Sequence, residues 1–376
     1  MLFVILPPAA REIGLSPFQV STIFATSATI WVFMSPMWGR RSDVIGRRPV
    51  MLIGLLGFAT SMILLATTLG LALEGTLPPL VAFGLMIASR SVFALFGSGT
   101  PPASQAYVAD STSRAERTRG VALINAAFGM GQTLGPAVGA ALATVGLLAP
   151  LYLSAGLAIF SAAVIWLFLP DPETPEVVAR AGGRKLRFTD RRIAPFILIA
   201  MAMQAVRATT AITLAFFLQD VLSLSPTQTG ERAGIGFMIL ALAGLAAQLG
   251  VVQRLQVRPS TLIQVGLGCG VVAFALFQLK AGFGLYATGL AFLGMGLGLV
   301  RPGNAAGASL AVAADEQGAV AGITGSIAVV GNIFGPLLGT ALYELSPRGP
   351  YVLNLFLMAL ALVFSLTHPR LRRFAV

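Results

Sequence analysis

Apolar residues run almost unbroken through eleven stretches of the chain: 18–38, 50–72, 78–109, 120–146, 150–169, 193–219, 233–252, 260–279, 283–313, 319–345 and 350–367. A helix needs roughly 20 such residues to cross a bilayer core. The runs do not alternate over about ten residues, as strands of a membrane barrel would. The pattern predicts eleven membrane-crossing helices. Residues 1–10 (Met-Leu-Phe-Val-Ile-Leu-Pro-Pro-Ala-Ala) are apolar as well. Ten helical residues cover only about 15 Å, half of a roughly 30 Å core. They read as the outer end of a helix whose first half is missing, that is, a truncated first helix. One long polar segment interrupts the series at 170–192. It starts acidic (Asp171, Glu173, Glu176), ends basic (Arg180 to Arg192), and carries Pro170, Pro172 and Pro175 where a helix would otherwise continue. The expected organisation is an N-terminal helix bundle over 1–169, a central loop over 170–192, a C-terminal bundle over 193–368 and a tail over 369–376.

Composition agrees with this reading. Of 376 residues, 56% are hydrophobic and 10% charged, and the mean hydropathy is +0.85. A soluble domain carries about 25% charge, so an ordinary cytosolic domain and a disordered chain are excluded. A single cysteine, Cys269, and a single histidine, His368, leave no internal disulfide and no His/Cys metal site. The net charge of +11 would suggest nucleic acid in a soluble protein. Here eighteen of the 25 lysines and arginines gather in alternate inter-helix segments, four lie in the other set, and three fall inside apolar runs. That asymmetry is the positive-inside pattern. The basicity reports topology, with the rich side and the C-terminus cytoplasmic, and no nucleic-acid partner is expected.

The two halves echo one another. Gly131, Gly135, Pro136, Gly139, Ala141 and Leu142 recur as Gly331, Gly335, Pro336, Gly339, Ala341 and Leu342 at a constant offset, and Pro102 and Glu116 map onto Pro302 and Glu316 in the same way. Arg48-Pro49 is echoed by Arg258-Pro259. Tandem six-helix halves are a transporter architecture. Glycines at i, i+4 and i+8 share one helix face and permit close packing, while Pro136 and Pro336 remove a backbone donor and bend the helix.

Between the first two full spans runs Gly39-Arg-Arg-Ser-Asp43-Val-Ile-Gly46-Arg47-Arg48-Pro49. Gly39 and Gly46 would allow a tight turn. Asp43 could accept hydrogen bonds from a helix N-terminus in the other half. Arg47 or Arg48 could pair with Asp110 at the end of the third full span. Breaking such a latch would let the halves rock. This loop resembles motif A of the major facilitator superfamily, with Arg41 and Val44 departing from the usual pattern. The Gly135-Pro136 helix resembles motif C of the drug:proton antiporter branch, and Arg90, followed by Gly97, resembles the motif B arginine. Gln105-Ala-Tyr107-Val-Ala-Asp110, Glu116-Arg117-Thr118-Arg119-Gly120, and Leu6-Pro7 with Gly14, Ser16 and Gln19-Val20 are similar to the tetracycline and multidrug efflux group.

Three arginines, Arg90, Arg207 and Arg301, lie inside apolar runs. Burying one costs at least about 2.5–3.5 kcal/mol on insertion scales, so each is expected to face a cavity or a partner. Arg301 opens Arg-Pro-Gly-Asn, where Pro302 and Gly303 could break the helix locally. All fourteen carboxylates lie in loops or at the ends of runs, whereas a proton-driven antiporter normally needs a protonatable group in its cavity. In the resembled group an acidic residue of the first helix often serves, so the missing carboxylate and the short first helix can be one fact. Gln105, Asn125, Gln204 and Asn304 are the uncharged polar residues chosen as cavity lining.

The resemblance implies an all-α membrane protein with the major facilitator fold: two pseudo-symmetric six-helix bundles with the first helix truncated. It also implies a multi-pass protein of a bacterial inner membrane, acting as a monomer. The function expected is alternating-access, proton-coupled export of small amphipathic compounds. The alternatives are an importer or uniporter, an anion carrier (favoured by three embedded arginines and no embedded carboxylate) or an inactive fragment. No enzyme motif is present, and no cofactor is expected.

Overall fold

The computed structural model describes residues 2–111, 145–170, 190–255, 257–313 and 316–372, with eleven positions between 123 and 142. The chain divides into two compact units, Met1–Arg180 and Ala181–Val376.

In the first unit α1 covers Leu2–Glu12, α2 Pro17–Ile45, α3 Arg47–Leu73, α4 Pro79–Val92, α5 Thr100–Ser111 and α6 Ala149–Phe168. The described positions between 123 and 142 are helical. In the second unit α7 covers Ala194–Leu222, α8 Pro226–Ala247, α9 Pro259–Gln278, α10 Phe283–Leu310, α11 Gln317–Leu345, α12 Gly349–Thr367 and α13 Pro369–Arg372. Among the described residues there is no strand, and nine helical stretches are long and apolar enough to cross a membrane. The remaining two of the eleven apolar runs are 120–146, mostly outside the described residues, and α11, whose described apolar part is Ile333–Leu345.

The helix starts follow from local chemistry. Ser16 caps α2: its hydroxyl accepts from the Gln19 N–H at 3.3 Å, and the Gln19 amide oxygen accepts from the Ser16 N–H at 2.8 Å. Ser225 and Gln228 repeat this box at the start of α8. Each box satisfies two of the donors that a helix start leaves open. The same Leu-Ser-Pro-x-Gln stretch produces both (15–19 and 224–228), a further echo between the halves.

Among the described residues two turns are π-helical, Phe93–Gly97 after α4 and Gln248–Val252 after α8. In the first, the indole N–H of Trp38 donates to the Leu95 carbonyl at 2.5 Å. A π-turn loosens the regular i→i−4 ladder, so a side chain can use a carbonyl there.

Glycine sets the closest approaches in the second unit. A Cβ at Gly294 of α10 would overlap the Leu240 carbonyl oxygen of α8 and sit 2.8 Å from its carbon; one at Gly298 would be 3.0 Å from the Gly244 Cα. On the other side of α10, a Cβ at Gly296 would lie 2.6 Å from the Gly266 oxygen of α9. Alternate glycines of one helix thus touch two neighbours, backbone to backbone. Small residues permit this where the lipid tails supply no hydrophobic drive between helices. The second unit also buries an aromatic cluster: Phe277 stacks on Tyr351 (centroids 4.7 Å apart, interplanar angle 2°), and Phe217 packs against Tyr286 and Tyr351.

Candidate functional site

In the first unit α2 runs through Ile45 and stops at Gly46, whose φ of +94° places it in the region that favours glycine. α3 begins at the next residue. Gly39 therefore lies inside α2, against Pro102 (3.7 Å from a built Cβ), and the tight turn forms at Gly46. The helix continues past Gly39 because nothing in 40–45 interrupts it.

The turn aims Arg47 inward, where it is 7% exposed. Its Nη1 lies 2.5 Å from Asp43 Oδ1, its Nε donates to Asp110 Oδ2 at 3.0 Å, and Nη1 also donates to the buried Ser42 hydroxyl at 2.6 Å. Ser42 in turn donates to the Gly39 carbonyl at 2.7 Å. One guanidinium thereby ties the end of α2 to the end of α5. Arg48 goes elsewhere: its Nη2 donates to the Trp166 carbonyl in α6. Of the two arginines the sequence offered, Arg47 holds Asp110. Ser42 is a member that sequence reasoning missed; a serine one residue before the acidic position carries no signal of its own. A recess lined by Pro36, Gly39, Arg40, Asp43, Arg47, Pro102 and Ala106 adjoins this cluster.

Arg90, near the end of α4, is 8% exposed. Its guanidinium carbon lies 4.5 Å from the Phe93 ring centroid and 5.9 Å from that of Phe24. Its Nε is buried without a hydrogen-bond partner among the described residues. Ring faces stabilise a desolvated cation by roughly 2 kcal/mol or more. Gln105 is exposed on α5. Asn125 and Pro136 lie outside the described residues. Gly131, Gly135 and Gly139 are helical, and a Cβ at Gly131 would meet no described atom within 4 Å.

In the second unit the glycine face is explicit. Cβ atoms built at Gly331, Gly335 and Gly339 would fall 2.8 Å from Gln204 Cβ, 2.8 Å from the Ala205 oxygen and 2.6 Å from Thr209 Cγ2, all on α7. The Thr209 hydroxyl donates to the Gly335 carbonyl at 2.8 Å, one residue before Pro336. This face seats α11 on α7 at the level of Arg207, whose Nε donates to Gln204 Oε1 at 3.1 Å. Arg301 is exposed on α10. The expected break at Pro302 does not occur, because α10 is helical throughout Phe283–Leu310. Proline forfeits the bond to the carbonyl four residues back. That residue is Gly298, and the helix continues through the lost bond. Asn304 is buried; its Nδ2 donates to the Phe196 carbonyl at 3.1 Å, and its Oδ1 has no partner among the described residues.

A second ion cluster joins the approach to α7 with the start of α11. Arg192 Nη1 donates to Glu316 Oε2 at 2.8 Å and Nη2 to Asp190 Oδ2 at 2.9 Å, and Glu316 is 4% exposed. Hydrogen bonds from Arg192 hold the Asp190 carboxyl below its ordinary range. Its contribution to stability is therefore fully present above about pH 4, the unfolded value, and is lost as pH falls through the lower folded value. The Tm of detergent-solubilised protein should exceed that of Asp190→Asn at neutral pH, and the gap should close as the medium is acidified below about pH 4. A gap independent of pH would assign the loss to something other than the carboxylate charge.

Among the described residues no cluster of histidine, cysteine, aspartate or glutamate could hold a metal ion. The arrangement is one of positioned charges in apolar helices.

Comparison with known proteins places these features. The sequence profile of the Major Facilitator Superfamily matches residues 1–328. The chain is 24% identical over 371 residues to Multidrug resistance protein 2 of Bacillus subtilis, covering 96% of this chain and 89% of that one. It is 26% identical over 356 residues to the class C tetracycline resistance protein of Escherichia coli, covering 92% and 86%. The fold is similar to the crystal structure of a D-xylose–proton symporter, with a TM-score of 0.75 over 98% of this chain and 94% of that one at 16% identity.

Proposed function

The chain belongs to the major facilitator superfamily, a family of membrane-embedded transporters of small molecules, and from that premise we propose that it exports small amphipathic compounds by alternating access, driven by a proton gradient. The observation that carries this reading is the near full-length relation to multidrug and tetracycline resistance proteins, over 96% and 92% of this chain. In this reading two six-helix bundles over 1–169 and 193–368, joined by a cytoplasmic loop, rock about a substrate site near the midplane. The C-terminus is cytoplasmic, and the membrane is a bacterial inner membrane. The Asp43–Arg47–Asp110 cluster is the latch. It braces the ends of α2 and α5 in one state, and its rupture accompanies the other. Arg90, Arg207 and Arg301 supply charge to the cavity, with Gln105, Asn125, Gln204 and Asn304 among its polar lining. The chain acts as a monomer.

Cells expressing the protein should load less rhodamine 6G or carboxyfluorescein than cells without it, and a protonophore should abolish the difference. Equal loading of both dyes with and without expression would contradict the export reading. A second reading, a uniporter or importer, is favoured by one feature: every carboxylate in the sequence sits in a loop or near the end of an apolar run. It predicts dye movement that is indifferent to the protonophore.

A further inference from the structure

In the first unit one charge sits deep in the span that α4, its π-turn and α5 build. Arg90 is the twelfth residue of the 30-residue apolar stretch Pro79–Val108, about 16 Å along the helix from its start. It is more than nine-tenths buried. Phe93 follows one turn later on the same face, and the rings of Phe93 and Phe24 lie against the guanidinium. Phe93 in turn touches Trp31 of α2, with centroids 5.0 Å apart, and Phe58 of α3, edge to face at 5.4 Å. Three helices thus meet in an aromatic cluster beside one cation. Trp31, Phe58 and Phe93 are each only partly buried, so part of every ring is uncovered.

The cluster lacks an acceptor. A guanidinium carries five N–H donors in a planar fork and stays charged when buried. Ring faces attract the charge but give the in-plane donors no lone pair. The Arg90 Nε has no hydrogen-bond partner, and no carboxylate pairs with the group, among the described residues. The sequence places none at that depth either. Glu74 precedes the start of α4, and Glu12 closes α1 two residues before Gly14, whose built Cβ would lie 3.9 Å from Pro79 Cγ. Asp43 and Asp110 hold Arg47 at the other end of the span. Glu116, Asp171, Glu173 and Glu176 follow in sequence the ends of α5 and α6. A buried cation without a countercharge destabilises the fold, and a bound anion would remove that cost. Carboxylate and sulfonate oxygens match the arginine fork.

We infer that Arg90 receives the carboxylate or sulfonate of the transported compound, and that Trp31, Phe58 and Phe93 take its ring, so that the compounds carried are aromatic organic anions. The inference rests on the export reading, which places Arg90 among the charges of the cavity, and narrows it. An aromatic cation could lie on the same rings but would meet the Arg90 charge unscreened.

The test uses the full chain in proteoliposomes with two xanthene dyes of opposite charge, carboxyfluorescein and rhodamine 6G. Carboxyfluorescein should be carried, and Arg90→Gln should raise its KM about tenfold or more. Arg90→Lys, which keeps the charge but not the fork, should fall between. The Tm of ligand-free Arg90→Gln should equal or exceed that of the wild type, because the variant removes an unpaired buried charge; a merely structural arginine would lower it. In the wild type 2-naphthoate should inhibit carboxyfluorescein transport far better than the uncharged 2-naphthamide, a comparison that needs no variant to fold. Transport of rhodamine 6G without carboxyfluorescein, equal inhibition by the two naphthalenes, or an unchanged KM in well-folded Arg90→Gln would overturn the inference and leave the export reading standing. If the wild type carries neither dye, the export reading fails, and equilibrium binding of radiolabelled 2-naphthoate to the detergent-solubilised chain decides the site by itself. Binding weakened about tenfold by Arg90→Gln would support it, and binding that is absent or unchanged would overturn it.

Discussion

Arg47→Ala should lower transport at least tenfold and cost about 1–3 kcal/mol of stability. Breaking a fully buried ion pair costs about 3–5 kcal/mol. The figure here is smaller because the two carboxylates are partly wet, with side chains 45% (Asp43) and 25% (Asp110) exposed. At 2–4 °C per kcal/mol for a unit of this size, Tm should fall by about 2–12 °C, readable in detergent by tryptophan fluorescence. The transport loss should be disproportionate to the Tm loss, because the guanidinium fixes the end of α2 to that of α5 rather than merely filling space. Arg47→Lys should recover part of the stability and little of the transport, since an ammonium group cannot hold Asp43, Asp110 and Ser42 in one planar arrangement. Arg48→Ala is the internal comparison. It removes a bond to one backbone carbonyl and should have the smaller effect on both readouts. If Arg48→Ala proved the more damaging, the latch would have been assigned to the wrong arginine.

The second large effect concerns α10. Gly294→Ala forces a methyl group into the Leu240 carbonyl of α8, whose carbon would be 2.8 Å away and whose Cα 3.0 Å. Backbone cannot swing aside as a side-chain tip can, so two helices must separate. Overpacking of this kind typically costs 1–3 kcal/mol. Here we expect about 3 kcal/mol, with a sharp fall in the yield of monodisperse protein. Gly268→Ala on α9 should cost nothing, since a Cβ there meets no described atom within 4 Å, and alanine is the better helix former by about 1 kcal/mol. Size-exclusion profiles and melting curves of the two variants side by side decide the matter. Equal behaviour would mean that α8 and α10 do not approach as closely as the glycines require.

These two sites also show where reading the sequence succeeds and where it stops. The helices were legible because a bilayer demands long apolar runs, and the cluster at the end of α2 was legible because charged residues at fixed spacing stand out between such runs. Which arginine meets Asp110 was not. Arg47 and Arg48 are consecutive in the first turn of α3, about 100° apart around its axis, and only the backbone conformation at Gly46 sends one to Asp110 and the other to Trp166. The pairing of Arg192 with Glu316 spans 124 residues and leaves no local trace, although the offset that relates Glu116 to Glu316 had marked one partner. The glycine contacts of α10 were hidden for a different reason. Lipid and helix core are both apolar, so the buried face of a spanning helix carries no hydrophobic contrast with its exposed face. The alternation Gly294, Gly296, Gly298 was available as a signal, yet sequence alone does not say that α8 and α9 lie on its two sides. Pro302 misled for a different reason: a proline reads as a break, yet α10 continues through it.

Coupling to protons is the central claim, and the most direct measurement places equal concentrations of carboxyfluorescein, or in parallel of rhodamine 6G, on both sides of proteoliposomes containing the full chain. A pH gradient is then imposed in each direction in turn. The proposal predicts uphill accumulation of at least one probe on the acidic side, erased by nigericin and absent from protein-free vesicles. Exchange of the same probe across the membrane with no net accumulation under either gradient would contradict it, and would identify the chain as a uniporter.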